Sequence, residues 1–194
     1  MRIDRLKREY EIQTQWVFFP LRPDAPEDGI TLEEIYAGRG IDIHQVRQRM
    51  NQVARELGLP LSERKMTYNS RRAQELAKWA ESKGVGDEFH RAVFQAYYVE
   101  TKNIGKVDEL LRLAGSIGLP EEEARGVLEQ RIYREAVDAD WSRCYDLGIT
   151  AVPTFVIDRE VVVGFQPYEV LEQLLRSKNI KKRLNRPDAE PSSA

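Results

Sequence analysis

Residues 31–148 carry a helical period almost without interruption, and strand-length apolar runs stand on both sides of them. No other feature limits the fold so tightly. Strands that share a sheet must then come from segments far apart in the chain, and the helical stretch between them reads as an insertion into a β-containing core.

The chain opens on a helix face, Ile3, Leu6, Lys7 and Tyr10, followed by the β-branched and aromatic run Thr14-Gln15-Trp16-Val17-Phe18-Phe19, which predicts a buried strand ending near Leu21. Pro20, Pro23 and Pro26 with Asp24, Asp28 and Gly29 make the next connection turn-rich, because proline withholds a ladder donor and biases its predecessor away from helix. Thr31-x-x-Glu34 has the spacing of a capping box, Gly38-Arg39-Gly40 breaks the chain, and Ile43, Val46, Met50, Val53 and Leu57 form a helix face stopped by Gly58 and Pro60. Asn69 or Ser70 caps a helix over 71–83, with Ala73, Leu76, Ala77 and Ala80 inside and Gly84 at its end. Further apolar faces run through Phe89, Val93, Phe94, Tyr97 and Tyr98, through 107–117, and through 121–145. Beyond these, Thr154-Phe155-Val156-Ile157 and Val161-Val162-Val163 flank Asp158-Arg159-Glu160 as a hairpin, and Pro167 opens a last helix with Val170, Leu171, Leu174 and Leu175 inside. Trp16, Trp79 and Trp141 are expected in the core, and residues 185–194 as a disordered tail.

Charge narrows the partners. Thirty Lys plus Arg against 32 Asp plus Glu leave a net charge of -2, which favours neither nucleic acid nor an anionic membrane surface. The basic run Lys178, Lys181, Lys182 and Arg183 follows a helix end, where cations complement the macrodipole. No stretch approaches the ~20 apolar residues of a membrane span, and residues 1–5 lack a secretory apolar run, so a cytoplasmic protein is expected. One cysteine, Cys144, excludes an internal disulfide. With only two histidines, His44 and His90, no metal site is expected, and both rings read as surface or lobe residues.

The segments Gly148-Ile149-Thr150-Ala151-Val152-Pro153-Thr154-Phe155-Val156-Ile157 and Val163-Gly164-Phe165-Gln166-Pro167-Tyr168-Glu169-Val170-Leu171 resemble the cis-proline loop and closing hairpin of the DsbA family in the thioredoxin superfamily. The FrnE-like branch is the nearest in pattern, although it typically has alanine at the Phe165 position. Phe19-Pro20-Leu21-Arg22-Pro23, Asn69-Ser70-Arg71-Arg72-Ala73 and Phe94-Gln95-Ala96-Tyr97-Tyr98 agree in order and spacing, so the resemblance covers nearly the whole chain. It implies an α/β class: a thioredoxin-like fold over 1–29 and 149–180 with an inserted all-helical lobe over 30–148, the first β-strand missing, and a tail over 181–194.

The same resemblance implies a site. Val152 and Pro153 would present backbone groups to an extended polypeptide or to glutathione, pairing it as an added strand. An X-Pro bond is cis in only ~5% of cases; the resemblance makes Val152-Pro153 cis here. Asn69 would touch a bound thiol tripeptide, as a similar asparagine does in related glutathione-dependent isomerases, although helix capping explains it equally well. In the family a strand and a Cys-x-x-Cys precede the helix that corresponds to the start of this sequence, and this sequence has neither. That motif works because a helix N-terminus lowers the pKa of the first thiol and the second resolves the mixed disulfide. Cys144, alone and in a helix, is expected buried and inert rather than reactive. The leading expectation is a DsbA-family thiol-disulfide oxidoreductase by descent, redox-inactive in this form, with no resident cofactor. The alternatives are a glutathione-dependent isomerase or transferase of the 2-hydroxychromene-2-carboxylate isomerase type, or a non-catalytic peptide-binding module.

In the thioredoxin arrangement the missing strand lies between those represented by residues 15–19 and 154–157, and each buried unpaired peptide group would cost ~1–3 kcal/mol. Three remedies follow. The chain start was assigned downstream of the true one, which is the favoured expectation; a segment of another copy fills the slot; or the flanking strands pair directly. An exposed sheet edge of this kind also suggests a homodimer.

Overall fold

The structure, a computed structural model, describes residues 2–38 and 40–183. Of the tail expected over 181–194, residues 184–194 lie outside the described residues, whereas 181–183 are held against residues 9–11 by the Tyr10–Lys182 bridge. Two compact units emerge, one from the segments 2–17 and 144–183, the other Phe18–Arg143.

The first unit begins with α1 (Arg2–Glu9) and resumes, after the second unit, with the antiparallel hairpin β3 (Thr154–Ile157) and β4 (Glu160–Val163) and the helix α9 (Tyr168–Ser177). Register runs from Thr154 opposite Val163 to Ile157 opposite Glu160. Alternation then puts Phe155, Ile157 and Val162 on the inner face, where they pack on a cluster of Leu6, Tyr10, Tyr168, Leu171 and Leu175. Pro167 is the cap of α9 rather than its first helical residue.

Polar groups tie the outside of this unit together. Tyr10 donates its hydroxyl to Glu172 Oε1 at 2.8 Å, Arg176 and Lys182 reach the same carboxylate oxygen at 3.0 Å each, and Tyr168 donates to Glu9. The segment after α9 returns to α1: Arg183 donates Nε to the carbonyls of Lys7 (3.2 Å) and Tyr10 (2.9 Å), and its N–H donates to Glu9 O (2.8 Å). The open carbonyls at the end of α1 are thus capped from the far end of the unit.

The second unit holds β1 (Ile30–Thr31), α2 (Leu32–Tyr36), α3 (Ile43–Glu56), β2 (Met66–Thr67), α4 (Arg71–Ser82), α5 (Gly86–Phe94), a π-helical turn (Gln95–Val99), α6 (Val107–Ser116), α7 (Glu121–Glu129) and most of α8 (Arg134–Asp146). Thr31 caps α2 through the expected box, with Glu34 N–H donating to Thr31 Oγ1 (3.1 Å) and Thr31 N–H to Glu34 Oε2 (2.9 Å). Asp42 caps α3. Leu76, Trp79, Ala80, Phe89, Leu110, Ala114 and Ala124 centre the core.

Three expectations are corrected. Residues 14–19 form no strand. A strand exists only with a neighbour to ladder with; here the Phe18 N–H donates to the Asp140 carboxylate (2.9 Å), and the Phe18 ring packs on the core of the second unit. Trp16 is not core but 36% exposed, whereas Trp79 is buried. Residues 31–148 are not helical throughout, because β1 and β2 pair antiparallel, Ile30 opposite Thr67 and Thr31 opposite Met66.

Candidate functional site: the Val152-Pro153 loop

The loop starts where α8 ends. Gly148 takes φ +64°, a conformation that suits glycine, and Ile149 N–H donates back to Cys144 O at 2.9 Å, so the helix is closed and the chain turned toward β3. Thr154 Oγ1 donates to Ala151 O (2.6 Å), and Gly164 N–H donates to Pro153 O (2.7 Å), which fastens the loop to the end of β4. Between these anchors the Val152-Pro153 peptide is cis. Among the described residues, no hydrogen bond engages the N–H or the C=O of Val152, and the residue is 46% exposed.

The hairpin that follows carries two further exposed apolar groups on the face opposite the core, Val163 (48%) across from Thr154 and Val161 (41%) across from Val156, and Phe165 (55%) stands just after β4. The Arg2 guanidinium stacks 3.9 Å from the centre of the Phe165 ring and donates to Gln166 O at 2.7 Å. On its other edge β3 has no ladder partner among the described residues.

Cys144 is buried, 3% exposed, on α8. Asn69 belongs to the other unit, so the structure assigns the three sequence-derived site residues to separate bodies. Its amide is fully used there: Oδ1 accepts from Arg71 N–H (2.9 Å), while Nδ2 donates to Pro23 O and Ala25 O (3.0 Å each). His44 is exposed on α3; His90 is half-buried on α5, where burial lowers its pKa against the pull of Asp87. Among the described residues no group of three or more His, Cys, Asp or Glu side chains could hold a metal ion, and no helix is long and apolar enough to cross a membrane.

The family model for the DSBA-like thioredoxin domain matches residues 1–176. The chain belongs to the DSBA-like thioredoxin family.

Its relatives place this DSBA-like chain further. A Bacillus subtilis protein, the uncharacterized YwbO, is 36% identical over 98 residues, 50% of this chain and 49% of its own, so the match spans about half the length of that curated relative. A Streptomyces coelicolor crystal structure described as a probable DsbA oxidoreductase is 27% identical, with a TM-score of 0.74 over 89% of this chain and 78% of that one. Two more distant structures share the fold: a 2-hydroxychromene-2-carboxylate isomerase (16% identical, TM-score 0.69, 92% and 85% covered) and the cytosolic disulfide reductase DsbM of Pseudomonas aeruginosa with GSH (24% identical, TM-score 0.51, 76% and 81% covered). The fold is therefore thioredoxin-like and DsbA-type, mixed α/β with a helical lobe.

Two chemical consequences follow for a DSBA-like domain built this way. A dithiol cycle needs one thiol to attack and a second to resolve, and this sequence supplies a single, buried thiol. The loop, by contrast, holds a residue, Val152, whose N–H and C=O take no hydrogen bond among the described residues.

Sequence reasoning overlooked one polar and aromatic cluster in the second unit. Arg64 donates to Thr67 Oγ1 (2.8 Å) and Tyr97 Oη (2.6 Å) and lies 4.5 Å from the Tyr97 ring centre, next to the π-helical turn. The signal was the pair Tyr97-Tyr98 within an otherwise helical pattern, which periodicity alone assigns to a core face.

Proposed function

We propose that this chain is a DsbA-family thiol-disulfide oxidoreductase by descent, binding an extended polypeptide or glutathione at Val152-Pro153 and unable to run the dithiol cycle with its own residues. The observation that carries the reading is the unengaged backbone of Val152, a residue 46% exposed, ahead of Pro153. A peptide laid alongside exchanges two hydrogen bonds with Val152 and continues along the open margin of β3, while Val163 and Phe165 offer apolar contact to alternate side chains. A second chain adding a strand at that margin would use the same groups. Asn69 contributes by holding the Pro23–Ala25 loop and the start of α4 in place. The assignment to the FrnE-like branch rests on Gly164-Phe165-Gln166-Pro167-Tyr168, and the absence of a long apolar helix among the described residues is compatible with work in the cytoplasm.

The test pairs binding with turnover. Amide resonances are followed during titration with glutathione and with a short unstructured peptide, alongside insulin reduction and glutathione exchange. Shifts centred on Val152, with no turnover, are expected. A titration that leaves Val152 unmoved, or insulin reduction by this chain, overturns the reading. If a version extended upstream in its reading frame is also inactive, the isomerase chemistry becomes the better account.

A further inference from the structure

Among the described residues, the apolar stripe of α3 is only partly covered. Ile43, Met50 and Leu57 are spaced by sevens, and Val46 and Val53, also seven apart, fall between them, which is the a and d spacing of a two-helix seam. The stripe borders the side that α3 presents to the rest of its unit rather than coinciding with it. Ala54 is its buried residue, and Arg47 faces inward to Glu33 (2.9 Å) and Glu63 (3.7 Å). The stripe lies about a quarter turn away: Met50 is 45% exposed, Leu57 38%, and the preceding Ile41 44%, with Ile43, Val46 and Val53 only partly buried. Single exposed apolar residues are ordinary on a monomer, but a heptad-spaced row is the pattern of an interface.

We propose that α3 is a dimer interface that pairs antiparallel with α3 of a second copy across a twofold axis. An antiparallel seam sets a positions against d positions. With the axis between Asn51 and Gln52, Met50 packs on the second copy's Val53 and Val46 on its Leu57, so every layer of the centre is apolar. The bordering charges select this direction. Arg49 and Glu56, both exposed, flank the same side of the stripe seven residues apart, and the twofold brings Arg49 of each copy to Glu56 of the other. Glu56 is already oriented by Gln52, whose Nε2 donates to its Oε1 at 2.9 Å. A parallel pair would set Arg49 beside Ala54 and leave both charges without a counterpart. The 14 residues of α3 make a seam about 21 Å long, the scale of a reversible rather than an obligate dimer. Nothing in this proposal depends on the thiol or peptide reading of the Val152 loop, and it uses a different surface from the β3 margin.

Sedimentation equilibrium of the full chain over a dilution series tests it. The mass is expected to rise from 22.5 kDa toward twice that value as concentration increases. Met50→Glu, at a half-exposed position, keeps the circular dichroism spectrum and melting temperature of the parent and stays monomeric. Arg49→Glu raises the dissociation constant roughly tenfold, since two symmetric pairs each become repulsive, and the double variant Arg49→Glu with Glu56→Arg restores the parent value. A monomer at every concentration, a dimer that survives Met50→Glu, or a charge-swapped double variant as weak as Arg49→Glu alone overturns the proposal.

Discussion

Arg131 grips the fully buried Glu75 at two points, Nε to Oε2 at 2.7 Å and Nη2 to Oε1 at 2.6 Å. Arg71, one turn before Glu75 on α4, adds a third bond at 2.7 Å and itself stacks on Trp141. Burial alone would push the Glu75 carboxyl up; the two guanidiniums override it and hold the carboxyl below the usual range. Removing one cation leaves a buried charge short of partners, so Arg131→Ala should cost about 3 kcal/mol or more in urea unfolding, with Arg131→Lys recovering only part. A loss below about 1 kcal/mol would show that Arg71 alone satisfies Glu75.

Acid should loosen the first unit through Glu172. Its pKa is held down to about 2, first by the Tyr10 hydroxyl and the Lys182 ammonium and then by Arg176. A carboxyl lowered on folding contributes stability that is fully present above its unfolded value near 4.5 and is lost as pH falls toward 2. Melting temperature measured across that window is expected to drop more steeply for the parent than for Glu172→Gln, and parallel curves would remove Glu172 as the cause.

Cys144 should be silent until the chain unfolds. At 3% exposure its thiol is expected to react with a disulfide reagent only at the rate of opening, and fully in denaturant. Cys144→Ala should cost about 1 kcal/mol and leave glutathione binding intact. Fast labelling of the native chain would reopen a mixed-disulfide role for this sulfur.

Asn69→Ala removes three hydrogen bonds at once and orphans the carbonyls of Pro23 and Ala25. A loss of about 2 kcal/mol is expected, with unchanged glutathione affinity at Val152. Weakened binding without a stability change would instead make Asn69 a direct ligand contact.

How far the residues alone announced all this can be traced at particular places. The capping box at Thr31, the helix over 71–82 and the hairpin were readable because period, cap and turn are encoded within a few neighbouring residues. Residues 14–19 misled for the converse reason: β-branched and aromatic composition records a local preference, while a strand also requires a partner that no local pattern reveals. The two-residue strands β1 and β2 are too short to have a period. The heptad of α3 showed which face was apolar but not that it would stay half wet. Glu75 reads as a solvated charge in a helix until Arg131, 56 residues later, is brought to it. At the Val152 loop the motif drew attention to Val152 and Pro153; that the Val152 backbone is left unengaged among the described residues emerged only from the hydrogen-bond geometry.

The return of the Arg183 segment to α1 carries a consequence in time. During synthesis α1 is made well before its cluster partners, Tyr168, Leu171 and Leu175, and before its cap at Arg183. The unit Phe18–Arg143 has its core partners within its own span and can pack while translation continues. Helix α1 must wait, its apolar side exposed, until residue 183 has been added, so the unit that carries the Val152 loop is completed only after the helical lobe can form.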